Sequence, residues 1–164
     1  TRIDNQDYGI RVVNASISGD TTGGGAARIE QALDTHKPAV VVIELGGNDG
    51  LRGIPIDITE ANLRQMVTAS LMACASGAML GMSIPQNYVA RYTEQFEGTF
   101  RKIAEAFSIP MEPFFLDGVA LDPNLMQADG ILPNAGAQPD MLERAWPVSR
   151  TALERANLNT SETP

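Results

Sequence analysis

The seven residues Ala39–Leu45, AVVVIEL, constrain this chain more than any other stretch. All but Glu44 are apolar, and Val40 to Ile43 are β-branched without interruption. A run of this length and character reads as a strand buried on both faces, the environment of a strand inside a parallel sheet. Lys37-Pro38 precedes it and Gly46-Gly47-Asn48-Asp49-Gly50 follows it, so residues that stop one element and turn the chain bound it on both sides.

The neighbouring segments alternate in the same way. Arg11–Ala15 (RVVNA) is a short β-prone run that leads into the Ser/Gly-rich stretch Ser16–Gly25. Within Ala26–His36, Ile29, Leu33 and His36 fall near helical spacing. After the Gly46–Asp57 loop, Thr59 is the expected cap of a helix carrying Leu63, Met66, Val67 and Leu71 on one face. Gly77–Ile84 is the next expected strand and Pro85–Val89 a loop. Tyr92, Phe96, Phe100, Ile103 and Phe107 then form a helical stripe that reads as core. Ile109–Leu116 is apolar but weakened as a strand by Pro110 and Pro113. Asp117–Asn134 is expected to be loop, Ala135–Leu153 helix interrupted at Pro147, and 157–164 a polar tail. Strands alternating with helices over 164 residues imply one doubly wound α/β domain spanning 1–164. Ligands bind such sheets beyond the carboxyl ends of the strands, here the loops Ser16–Gly25, Gly46–Gly53, Pro85–Val89 and Asp129–Asn134.

Composition narrows the chemistry those loops can carry. With 20 acidic against 12 basic residues the net charge is −8, which repels phosphate backbones and leaves nucleic-acid binding without electrostatic support. One histidine, His36, and one cysteine, Cys74, offer little to a metal site and no internal disulfide. His36 reads as a residue at a helix end, and Cys74 as a small buried hydrophobe on a helix. Met79, Met82, Met111 and Met126 read mainly as core packing. No run approaches the ~20 apolar residues of a membrane helix, and Thr1–Ile10 has no signal-peptide pattern.

Ser16–Gly25 admits three readings: a phosphate cradle at a helix N-terminus, a turn with a helix cap, or an oxyanion donor through the Gly19 amide. The first is opposed by Asp20 and by the lack of a Gly-Lys-Ser/Thr sequence. In Gly46–Gly50, Asn48 offers a neutral NH₂ donor at a strand's carboxyl end, although Asn-Asp-Gly also favours an Asx turn. Asp129-Gly130 reads either as a turn or as a carboxylate that orients a base.

Taken in order, Asn14–Thr21 (NASISGDT), Glu44–Gly53 (ELGGNDGLRG), Pro85–Tyr88, Pro113–Phe115 and Met126–Ile131 resemble the SGNH (GDSL) hydrolases. The likeness is strongest to their bacterial thioesterase I, lysophospholipase L1 and arylesterase branch and extends from about Arg11 to about Trp146. It implies a three-layer α/β/α, flavodoxin-like parallel sheet with helices on both faces. It also implies hydrolysis of small acyl esters or thioesters by a serine nucleophile, without metal or cofactor, in a periplasmic or secreted setting. On this resemblance Gly19 supplies a backbone N–H and Asn48 a side-chain NH₂ to the oxyanion hole, and Asp129 orients the histidine of an Asp-x-x-His motif.

Two departures follow from the same alignment of motifs. The family's Gly-Asp-Ser block, which carries the nucleophile on a central first strand, precedes Asn14–Thr21 and is not found in residues 1–13. Leu132 stands where the catalytic histidine is expected, and leucine can neither take nor return a proton. Thr21 is no substitute nucleophile, because His36 lies ~22 Å away along the following helix. Without the first strand the sheet would have unpaired edges. The expectation is therefore that a strand and helix lie upstream of Thr1; the alternative is a strand supplied by a partner chain. An inactive relative that binds acyl ligands or a partner chain is the second functional reading.

Overall fold

The computed structural model describes residues 9–84 and 90–161, the side chains of 157–161 excepted. The expected Pro85–Val89 loop lies outside the described residues. Three parallel strands, β1 (Val40–Ile43), β2 (Ser76–Leu80) and β3 (Met111–Glu112), stand in the order β1-β2-β3. Val40 is opposite Ser76, Ile43 opposite Met79, and Met79 opposite Met111. Five α-helices accompany them among the described residues: α1 (Thr22–His36), α2 (Gly47–Leu51), α3 (Ile56–Met72), α4 (Ala90–Phe107) and α5 (Gln138–Ser161). A single 3₁₀ turn, Ala135–Ala137, leads into α5.

Side chains alternate across a strand, so the sheet has two faces to cover. Ile43 and Met79 pack on one face with Ala26 of α1, Leu63, Met66 and Val67 of α3, and Phe96, Phe100 and Ile103 of α4. Phe96 and Phe100 meet edge to face, centroids 5.2 Å apart. On the other face Ala78 and Leu80 pack with Val148 and Ala152 of α5. β2, covered on both sides, is buried along its whole length. The result is the expected three-layer α/β/α parallel sheet. A smaller cluster of Val119, Met126 and Ala137 holds the long segment between β3 and α5.

Several local expectations are corrected. Arg11–Ala15 is not a strand; Val12 and Val13 are exposed. Extended propensity makes a strand only beside a ladder partner, and no described strand lies there. β1 is buried at Ile43, but Val42 is 44% exposed, because the face that α5 covers at Val40 is open one pleat further on. The Gly77–Ile84 strand ends at Leu80, where Gly81 turns against the backbone of Pro113 and its N–H bonds the Glu112 carbonyl at 2.7 Å. Ile109–Leu116 keeps only two strand residues between prolines that have no N–H to offer.

Thr59 caps no helix. Pro55, with φ −52°, starts α3 at Ile56, and Thr59 is buried one turn inside. Pro147 does not interrupt α5: it removes one N–H from the ladder, but Val148 and Ala152 just beyond it are packed on the sheet. The same helix takes in 157–161, the first part of the expected polar tail. Cys74 is exposed at φ +61° beyond the end of α3, not buried on it. No helix among the described residues is long and apolar enough to cross a membrane.

Candidate active site

The site is built from a turn and a short helix that are far apart in sequence. Ile17 accepts a hydrogen bond from the Asp20 N–H at 3.2 Å, closing a four-residue turn whose third residue, Gly19, has φ +77°. Ser18 does not share that sign of φ, so the turn is of type II, which requires a glycine here. In this geometry the Gly19 N–H takes no part in closing the turn. It has no acceptor among the described residues, and a Cβ built on Gly19 would meet nothing within 4 Å.

Most of the amides that follow are occupied. Asp20 Oδ1 accepts from Thr21 N–H at 2.9 Å, Thr21 Oγ1 from Gly24 N–H at 3.5 Å, and Asp49 Oδ2 from Thr22 N–H at 2.9 Å. The first turn of α1 gives its Thr22, Gly24 and Gly25 amides to its own neighbours, while the Gly23 N–H has no acceptor among the described residues. Of the three readings of Ser16–Gly25, the helix cap is present, the Gly19 amide is without an acceptor, and the Asp20 carboxylate opposes a phosphate at this helix end. Arg28, one turn into α1, secures the segment from below: Nε donates to Asp20 Oδ2 at 3.1 Å and Nη1 to the Ala15 carbonyl at 2.7 Å.

The second half of the site follows β1. Gly46, at φ +120°, turns the chain out of the strand into α2, and a Cβ there would lie 2.9 Å from Phe100 Cζ. Asn48 and Arg52 are four residues apart, which places them on one side of this helical turn. Asn48 Nδ2 donates to the Asp20 carbonyl at 2.9 Å, and Arg52 Nη2 to the Gly19 carbonyl at 3.1 Å. An amide NH₂ has two hydrogens; the bond to Asp20 fixes the plane of the Asn48 side chain and leaves the other N–H to donate. Between them Asp49 is fully buried. Its carboxylate also accepts from the Thr22 and Thr59 hydroxyls, while Asn62 Nδ2 donates to Thr22 Oγ1 at 3.1 Å.

Asp129 stands apart from this pair. Its Oδ1 accepts from the N–H groups of Ile131 (2.9 Å) and Leu132 (3.1 Å), and these bonds, Ile131 first, hold the carboxyl below the usual carboxylate range. The loop closes on itself through Gln127 N–H to the Leu132 carbonyl at 2.7 Å and through Asn134 Nδ2 to Asn124 and Met126 carbonyls. No hydrogen bond among the described residues ties Asp129 to Gly19 or Asn48. Leu132 is 50% exposed and brings no titratable group to the loop. His36 sits in the last turn of α1, at the opposite end of the helix from Thr21. Just beyond the carboxyl end of β1, desolvation raises the pKa of Glu44, a residue that keeps part of its surface in solvent.

The structure thus unites Gly19 and Asn48 and adds residues that motif reading passes over: Arg28, Asp49, Arg52 and Thr22. One signal for Arg52 was present, its i, i+4 spacing from Asn48. Asp49 and Arg28 act across the fold and carry no such local sign.

The family model for the GDSL-like lipase/acylhydrolase family matches residues 2–138. The chain is 45% identical over 152 residues to the esterase TesA of Pseudomonas aeruginosa, an alignment covering 93% of this chain and 76% of that protein. To the thioesterase 1/protease 1/lysophospholipase L1 of Escherichia coli it is 48% identical over 128 residues, 78% of this chain and 62% of the relative. The crystal structure of the psychrotrophic esterase EstA from Pseudoalteromonas sp., inhibited by monoethylphosphonate, superposes with a TM-score of 0.87. It shows 37% identity over 93% of this chain and 84% of its own.

Proposed function

Because the chain belongs to the GDSL-like lipase/acylhydrolase family, we propose that it serves the hydrolysis of carboxylic esters or thioesters by acyl transfer to a serine. The observation that carries this reading is the donor pair, the Gly19 N–H and the remaining Asn48 N–H, neither with an acceptor among the described residues, with Asn48 bonded at 2.9 Å to the carbonyl of the residue after Gly19. Such a pair accepts the charge that appears on a carbonyl oxygen when a nucleophile adds to it. In the reaction, the serine oxygen bonds to the acyl carbon as its proton passes to a base. Collapse expels the alcohol or thiol with a proton returned, and water repeats the sequence to release the acid. On this reading the serine belongs to the family's Gly-Asp-Ser block, which precedes the block that Asn14–Thr21 matches. Asp129 is assigned to orient the base. The names of the relatives support acyl esters or thioesters as substrates, and the resemblance to this branch of the family favours a periplasmic or secreted setting.

Leu132 favours a second reading, a relative that binds acyl ligands without turning them over, since no proton acceptor stands at that position. The experiment that separates them is hydrolysis of p-nitrophenyl butyrate by protein expressed from its complete reading frame, with and without Leu132→His. Hydrolysis near background that rises by about 10³-fold or more with Leu132→His supports the hydrolase scaffold with a disabled base. If activity is high and a phosphonate labels the protein with Leu132 in place, the role given to position 132 is wrong. If Leu132→His yields no turnover and octanoate binds, the binding protein replaces the hydrolase.

A further inference from the structure

The guanidinium of Arg52, like that of Arg155, is spent on a backbone carbonyl although the chain is acidic. Arg28, Arg64 and Arg144 each take a carboxylate, whereas Arg52 donates to a backbone carbonyl and has no carboxylate at ion-pair distance among the described residues. That carbonyl belongs to Gly19, and its peptide group ends in the Asp20 N–H that closes the turn onto Ile17. Serial hydrogen bonds strengthen one another, so a cation on the Gly19 oxygen makes the Asp20 N–H a better donor and tightens the turn. The closed turn holds Gly19 at φ +77° and leaves its N–H without an acceptor among the described residues. Asn48, one helical turn before Arg52, holds the next carbonyl, that of Asp20. Two side chains at i and i+4 thus grip two successive carbonyls of one turn.

From this geometry we infer that Arg52 is a positioning residue for the oxyanion donors, acting on Gly19 through the Gly19–Asp20 peptide group. The inference rests on the acyl-transfer role proposed for Gly19 and Asn48, and the clamp itself can be read without catalysis. Arg52 touches neither the nucleophile nor the base on this account. Its removal lowers the rate of the chemical step and leaves substrate binding alone.

The test has two arms. In the protein with Leu132, amide exchange and ¹⁵N–¹H shifts of Gly19 and Asp20 are measured for Arg52→Ala, Arg52→Gln and Arg52→Lys. Arg52→Ala is expected to speed Asp20 exchange by about tenfold, with Arg52→Lys recovering most of the protection, since lysine retains the one charge-assisted bond that alanine loses. In the Leu132→His protein, Arg52→Ala is expected to lower kcat by about tenfold at unchanged KM, again with recovery by Arg52→Lys. Unchanged Asp20 exchange in Arg52→Ala overturns the inference. So does accelerated exchange with unaltered kcat in an active Leu132→His protein, or a rise in KM alone, which would make Arg52 a substrate contact. If Leu132→His shows no turnover, the proposed reaction fails while the exchange arm still decides whether Arg52 holds the turn. Should Arg52→Ala fail to fold, the Gln and Lys variants carry both arms.

Discussion

Asp49 and Thr22, 27 residues apart in sequence, form a buried pair in which one carboxylate accepts both the backbone N–H of Thr22, at 2.9 Å, and its hydroxyl. The pair locks the first turn of α1 to α2, and so the Gly19 turn to Asn48. Replacing Asp49 by Asn keeps the shape but turns an NH₂ toward one of these donors, leaving a buried donor unsatisfied. Asp49→Asn is expected to cost about 1–3 kcal/mol, seen as a lower urea midpoint at constant m-value. An unchanged midpoint would show that the carboxylate is dispensable to the junction.

Gly46 is the position where the exit from β1 depends on glycine. At φ +120°, with a Cβ 2.9 Å from Phe100 Cζ, Gly46→Ala meets both backbone strain and an aromatic ring. A loss of roughly 2–4 kcal/mol is expected in chemical denaturation. Gly98→Ala, inside α4 with open space around it, is the control and should stabilise by about 0.5–1 kcal/mol.

Glu44 gives the stability a pH dependence. Burial raises its pKa in the folded state, so the unfolded chain ionises it more easily. A raised folded value contributes stability that is complete below the unfolded pKa and is lost as pH rises through the folded one. Glu44→Gln is therefore expected to raise the melting temperature at pH 7 and to match the parent at pH 4. The gain is small because the residue is partly solvated. An equal gain at both pH values would contradict the assignment.

Asn48 should separate chemistry from binding. In the Leu132→His protein, Asn48→Ala is expected to lower kcat by about 10²–10³-fold with little change in KM, measured on p-nitrophenyl butyrate. Loss of the Asp20 bond alone would instead appear in the melting temperature.

Much of the core could be read directly. Phe96, Phe100 and Ile103 lie at helical spacing and are buried on α4, and the apolar run at 39–45 contains β1. Local signals failed where a neighbour decides the outcome. Arg11–Ala15 has strand propensity without a described partner, Thr59 has cap chemistry but Pro55 starts its helix first, and Pro147 is carried through by packing on Ala78 and Leu80. At the site, Gly19 and Asn48 were legible as motif residues, whereas Asp49, Arg28 and Arg52 were not. Their roles are hydrogen bonds to partners 27, 8 or 13, and 33 residues away.

By itself the sequence determined the order of strands, helices and Gly-rich loops, the acidic character of the chain and the leucine at 132, because these are properties of residue type and spacing. Tertiary structure alone decided which amides of Ser16–Gly25 are spent and which are free. Thr22 gives its N–H to Asp49, and Gly19 keeps its own because the turn is gripped by its carbonyls from Asn48 and Arg52. A donor's availability depends on every acceptor within reach, and those acceptors come from parts of the chain that only folding brings together.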